Sequence, residues 1–116
     1  MKELKNCIEL SCSVKIYVPS TICVDQEADT QEWVDKALNL LAECFGGATC
    51  SEALGVWQDS DNKGLVKEKV KVCMSYCHQD ALNKHIEDIL AFCQIMRHEL
   101  SQQSVALEVQ NKMYLI

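Results

Sequence analysis

Proline and glycine are scarce, at one and four residues of each in a chain of 116. So few breakers exclude a flexible linker or a low-complexity segment. With 48 % hydrophobic and 24 % charged residues, the balance is that of one ordered domain. Long apolar runs are missing too. No stretch approaches the ~20 residues of a membrane-spanning helix. The opening residues include Lys2, Glu3, Lys5 and Glu9 and lack the apolar core of a secretory signal. The expected location is therefore the cytoplasm, with no membrane partner. Positive charge is outnumbered, 11 lysines and arginines against 17 aspartates and glutamates, a formal net charge of −6. That disfavours broad binding to duplex nucleic acid, which needs a large basic face.

Catalytic and cofactor signatures are absent as well. Gly46-Gly47 is too short for a phosphate-binding loop and no lysine follows it, so it reads as a helix stop. No local pattern marks a Ser-His-Asp or Cys-His nucleophile. No catalytic residue and no cofactor is expected.

Cysteine, by contrast, is abundant, with eight in the chain. Without an export signal these thiols are expected to stay reduced, and a chain of this length buries enough surface to fold without disulfides. The best metal candidate is Cys73-x-x-x-Cys77-His78, with His85 near it, since thiolate and imidazole suit zinc. The spacing is not a usual zinc pattern, and on one strand the two cysteines would stand about 13 Å apart. Neither Cys7 with Cys12 nor Cys44 with Cys50 supplies a second matching pair, so no metal ligand is assigned.

Along the chain, residues 1–13 have no clean period and read as a variable or mobile arm, leaving 14–116 as the single domain. Val14, Ile16 and Val18 alternate with Lys15 and Tyr17 up to Pro19, which predicts a half-buried strand. Ser20 to Ala28 reads as a loop. Asp29 followed by Glu32 fits a capping arrangement for a helix over about 30–45, with Trp33, Val34, Ala37, Leu38, Leu41, Cys44 and Phe45 at helical spacing. Ala53–Trp57 and a run from Leu65 to about Tyr76 predict a hairpin across the turn-rich segment 58–64. Along its second arm Val66, Glu68, Val70, Val72, Met74 and Tyr76 share one face, expected to point at the helices. Lys67, Lys69, Lys71, Cys73, Ser75 and Cys77 share the other. A second helix is predicted over about 80–100, burying Leu82, Ile86, Ile89, Cys93, Met96 and Leu100, and a closing hairpin joins Val105–Val109 to Met113–Ile116 across Gln110-Asn-Lys112. The order β-α-β-β-α-β-β makes an α+β two-layer sandwich, an antiparallel sheet with two helices on one face, of ferredoxin-like connectivity.

The stretches Tyr17-Val-Pro-Ser-Thr21, Phe45-Gly-Gly-Ala-Thr49, Gly55-x-Trp57 and Gly64-Leu-Val-x-Glu68, with the ending Met113-Tyr-Leu-Ile116, carry a resemblance from about Lys15 to Ile116. The chain resembles a small uncharacterised family found among bacterial and phage or mobile-element proteins. That resemblance implies a ferredoxin-like fold and brings no functional residue with it.

Two surfaces follow from the pattern. Glu68 shares a strand face with Val66 and Val70, where an unpaired carboxylate is costly to bury. If Trp57 pairs with Val66, Gly55 falls opposite Glu68 and leaves room for its side chain or a ligand. Glu68 then reads as a general base or ligand acceptor beside Trp57, or as a carboxylate satisfied by a loop amide or the Trp57 indole. Lys67, Lys69 and Lys71, with Lys15 and Tyr17 expected beside them, form a basic strip that suits a small anionic ligand or merely keeps a solvated sheet face soluble. The leading expectation is a non-enzymatic binding or interaction protein, a homo-oligomer whose sheet faces or edges pair between copies, with a small anionic ligand or a protein as partner. The alternative is a small enzyme with a sheet–helix pocket, in which Glu68 is acid or base and Trp57 and Tyr17 shape the cavity.

Overall fold

The computed structural model describes residues 1–22, 26–58 and 64–116. Most of the expected hairpin turn, 59–63, lies outside the described residues, as does 23–25 of the expected loop. A single 3-10 turn, Lys2–Leu4, precedes β1 (Cys12–Pro19), and residues 1–11 are exposed. Then come β2 (Thr21–Ile22), β3 (Gln26–Glu27), α1 (Gln31–Phe45), β4 (Thr49–Gln58), β5 (Leu65–Cys77), α2 (Gln79–Glu99), β6 (Ala106–Val109) and β7 (Lys112–Leu115). The main sheet is antiparallel in the order β4-β5-β1-β6-β7, with both helices on one face, while β2 and β3 pair as a small ribbon where a loop was expected. This is the expected two-layer α+β architecture.

The core lies where the apolar side of β1 meets the two helices. Val14, Ile16 and Val18 are fully buried with Ala37 and Leu41 of α1, Ile89, Cys93 and Met96 of α2, and Leu107 of β6. Each Val, Leu, Ile or Met side chain fully removed from water contributes roughly 1.5–3 kcal/mol. α1 starts at Thr30, whose hydroxyl donates to the Pro19 carbonyl and so ties the helix to the end of β1. The first-turn amide of Gln31 donates to Asp29 Oδ1 at 3.0 Å, the role expected of that carboxylate. The helix ends at Gly46 with φ +93°, a left-handed stop that residues bearing Cβ resist.

One expectation is inverted. β5 is extended throughout, but Cys73 and Ser75 face the helices: Ile16 lies directly opposite Cys73 and Val14 opposite Ser75, so the odd-numbered side chains share the buried side of β1. The Ser75 hydroxyl donates to Gly47 O after α1, and Cys73 Sγ lies 4.0 Å from Val34 O within that helix. Val72, Met74 and Tyr76 therefore point to the helix-free face together with Tyr17, which pairs with Val72. The helices close down on small thiol and hydroxyl side chains, and the bulkier apolar row is left outside.

Candidate functional site

The two longest strands do not end together, and the mismatch makes a cleft. Pairing between β1 and β5 stops at Pro19 and Val70, while β5 runs on against β4 to Leu65. Beside this overhang the chain turns through Ser20 into the β2–β3 ribbon. A cleft of about 790 Å³ separates the two, with Ser20, Thr21, Glu27 and Ala28 on one wall and Leu54, Val66, Lys67, Glu68 and Lys69 on the other.

Glu68 is the buried charge of this cleft, with only 8 % of its surface exposed. The Ser20 amide donates to its Oε1 at 3.1 Å and the Thr21 hydroxyl donates to the same oxygen at 3.2 Å. The Gln102 side-chain amide, just past α2, donates to Thr21 O at 3.0 Å and to Thr21 Oγ1 at 3.4 Å. Thr21 Oγ1 thus accepts a hydrogen bond from one side and donates its own to Glu68. Hydrogen bonds to a charged acceptor are worth about 1.5–3 kcal/mol each, enough to hold a carboxylate that would otherwise be costly to bury. Among the described residues both donors meet Oε1.

The expected pairing of the hairpin is present: Trp57 lies opposite Val66 and Gly55 opposite Glu68. The space above Gly55 has a different occupant from the one expected. A Cβ at Gly55 would meet Trp57 Cζ3 at 3.3 Å, so the indole folds over the glycine, while the Glu68 side chain takes its donors from Ser20 and Thr21. Of the six residues singled out from the sequence, Glu68, Lys67 and Lys69 converge on the cleft. Trp57 does not line it; the indole covers Gly55, which lies opposite Glu68.

Tyr17 and Lys71 belong elsewhere. Tyr17 is on the helix-free face beside Val72, and Lys15 on that face pairs with Glu108 at 3.4 Å. The lysines occupy the opposite strand face, so the strip of Lys67, Lys69 and Lys71 with Lys15 and Tyr17 does not assemble. Lys71 binds Glu52 across the hairpin at 2.8 Å, and this hydrogen bond lowers the Glu52 pKa and raises that of Lys71. The candidate zinc pair is also spread out: β5 continues through Cys77, leaving Cys73 and Cys77 on one strand, each facing a different cysteine, Cys50 and Cys12. Among the described residues no cluster of three or more His, Cys, Asp or Glu is placed to hold a metal ion.

Ser20, Thr21, Glu27 and Gln102 complete the site, and none was singled out from the sequence. Ser20 and Thr21 stand directly after Pro19, where β1 must leave the sheet, which was a usable signal. Gln102 had none, being 81 residues from its partner Thr21.

Residues of both charges line the cleft, Glu27 and Glu68 with Lys67 and Lys69, together with Leu54 and Val66; on β5 the lysines alternate with Glu68, so they edge the cleft from the other strand face. Such a surface suits a small ligand that itself carries both charges.

Comparison with known proteins gives likeness in fold. No protein-family model and no curated protein matches the sequence. Among solved structures, the chain is similar to a phage SAM lyase in complex with S-methyl-5'-thioadenosine, with a TM-score of 0.68 at 15 % identity over 97 % of this chain and 94 % of that one. A phage SAM lyase in the apo state gives a TM-score of 0.59 at 20 % identity, covering 91 % of this chain and 88 % of the other. Both neighbours are phage proteins, and in each case the likeness covers more than nine-tenths of this chain.

Proposed function

We propose that this protein is a small enzyme that cleaves a carbon–sulfur bond of S-adenosylmethionine, with the Glu68 cleft as its active site. The observation that carries this reading is the cleft itself: a buried carboxylate in a pocket of mixed charge. The substrate matches it in kind, because S-adenosylmethionine has a sulfonium cation, an ammonium group and a carboxylate. The likeness in fold to a phage SAM lyase over nearly the whole chain supports the same reading.

In the proposed reaction Glu68 is the base. It takes a proton from the carbon adjacent to the one bonded to sulfur, the C–H pair becomes a carbon–carbon double bond, and the C–S pair moves onto the sulfonium. Sulfur leaves as a neutral thioether, S-methyl-5'-thioadenosine, and an unsaturated amino acid remains. Glu68 Oε2 is the oxygen assigned to the proton, since Oε1 is occupied by Ser20 and Thr21. Lys67 and Lys69, at the rim of the cleft, are the cations available to the substrate carboxylate from the neighbouring strand face. The base-catalysed proton transfer is expected to be worth on the order of 10²–10⁴ in rate.

The test is chromatographic release of S-methyl-5'-thioadenosine from S-adenosylmethionine. Glu68→Gln should lower the rate by about a hundredfold or more with an unchanged far-UV circular dichroism spectrum, and Lys71→Ala should leave it intact. No thioether from the unmodified protein sinks the enzyme reading. Proton NMR of the carbon fragment checks the role of Glu68: a lactone in place of the alkene means that the substrate's own carboxylate displaced sulfur and no proton went to Glu68.

We propose further that the protein works in the cytoplasm and as a homo-oligomer. The helix-free sheet face presents Tyr17, Val70, Val72, Met74 and Tyr76 in adjoining rows, with Tyr76 55 % exposed, and Met113, 51 % exposed, beyond the Lys15–Glu108 pair. A face of this kind is more apolar than a solvated sheet needs to be.

A further inference from the structure

Two pairs of cysteines lie directly opposite one another in the main sheet, Cys50 with Cys73 across β4 and β5, and Cys12 with Cys77 across β1 and β5. Directly opposed residues in antiparallel strands have Cα atoms about 4.5–5.5 Å apart, inside the roughly 4.4–6.8 Å that a disulfide spans. All four are free thiols.

We propose that Cys50 and Cys73 form an oxidisable thiol pair, which hydrogen peroxide closes into a disulfide across the hairpin that carries Glu68. The two members differ in access. Cys50 is half-buried near the sheet edge, where an oxidant in solvent reaches its sulfur, whereas Cys73 is fully buried beneath α1. The two residues are direct cross-strand partners in the register of β4 with β5. Burial, followed by the neighbouring Cys50, pushes the Cys73 thiol up to about 12, so it remains a protonated thiol waiting beside its partner.

The chemistry closes in two steps. The Cys50 thiol attacks one peroxide oxygen; the O–O bond breaks, water leaves, and Cys50 becomes a sulfenic acid. Cys73 sulfur then attacks the Cys50 sulfur, its proton goes to the departing hydroxyl, and a second water leaves. Two thiols lose two electrons and two protons in all, and one peroxide is reduced to two waters. Fixed proximity offsets the weak acidity of Cys73 in the second step.

The second pair serves as an internal control. Cys12 and Cys77 are both buried, and the Cys12 sulfur is held by Gln110 Nε2 at 3.0 Å and Gln79 Oε1 at 3.4 Å. With no accessible member, this pair stays reduced while the chain is folded. The crosslink between 50 and 73 would enclose residues 51–72, including Gly55, Trp57 and Glu68. The proposal concerns thiol chemistry alone and is independent of the enzymatic reading.

The test uses the reduced, purified full chain at near-neutral pH, exposed while folded to a small excess of hydrogen peroxide, then quenched, unfolded in denaturant, blocked with N-ethylmaleimide and mapped by peptide mass spectrometry. The expected result is a peptide pair joined through Cys50 and Cys73 that has lost two hydrogens, is reversed by dithiothreitol and appears while Cys12 and Cys77 take up maleimide. In Cys73→Ser, a dimedone adduct should accumulate at Cys50, a readout that does not depend on forming the bond. Peroxide that leaves both thiols free, drives Cys50 only to sulfinic acid, or links Cys50 between chains overturns the proposal. So does oxidation of Cys12 with Cys77 ahead of this pair.

Discussion

Thr21 and Gln102 act on Glu68 from a distance, one directly and one through the other. Because the Gln102 amide donates to Thr21 Oγ1, the hydroxyl proton is left to point at Glu68 Oε1. Gln102→Ala should cost about 1 kcal/mol of stability, the net worth of an ordinary hydrogen bond, measured by urea denaturation. Under the proposed function it should also lower kcat more than it alters KM, since Gln102 orients the base without touching substrate. Two buried thiols make a separate forecast about pH. Burial pushes Cys73 and Cys93 from the ordinary 9.0 up to about 12, so the folded state keeps protons that the unfolded state gives up. Their contribution is fully present below pH 9, the unfolded value, and is lost as pH rises toward 12. Thermal melts at stepped alkaline pH should show Tm falling through that window, and falling less steeply in Cys93→Ala than in the unmodified protein. At this scale the sequence was informative about Glu68 as an anomaly and about its pairing with Gly55. A loop amide was among the expected donors, and Ser20 supplies it; the parts of Thr21 and Gln102 were illegible, because they meet only once β1 has left the sheet and α2 has returned.

The elements themselves were legible wherever a local rule governed them. α1 begins after Asp29 and stops at Gly46, as spacing and capping chemistry require. Gly46→Ala should destabilise the chain by about 1–2 kcal/mol, the cost of a left-handed conformation for a residue with Cβ. A drop in Tm of several degrees measures it. The face that β5 turns to the helices was not legible. Alternation correctly separated Val66 to Tyr76 from Lys67 to Cys77, but side-chain hydrophobicity put the valines and Met74 inward, and the structure puts Cys73 and Ser75 there. Register with β1 decided it: Ile16 can lie opposite Cys73 only if the odd-numbered row faces α1 and α2. The short ribbon of β2 and β3 also went unread, since two-residue strands carry no period.

As a whole the molecule is elongated, 52 × 26 × 21 Å, and apolar on a side that no helix covers. An inverted β5 gives the larger hydrophobic row to that outer face, and this is the physical basis for expecting copies to pair through it. Light scattering after size exclusion should report an oligomer, and Val72→Lys with Met74→Lys should reduce it to monomer while the circular dichroism spectrum stays unchanged. A monomeric unmodified protein removes the proposal. The sequence alone determined the element order, the alternation within each strand, the helix stop at Gly46 and the layered class of the fold, because each depends on neighbours a few residues apart. Only tertiary structure decided which face of β5 is inside, what satisfies Glu68, where the cleft opens and which cysteines meet. Each of these depends on strand register and on segments far apart in the chain, and no local period encodes them.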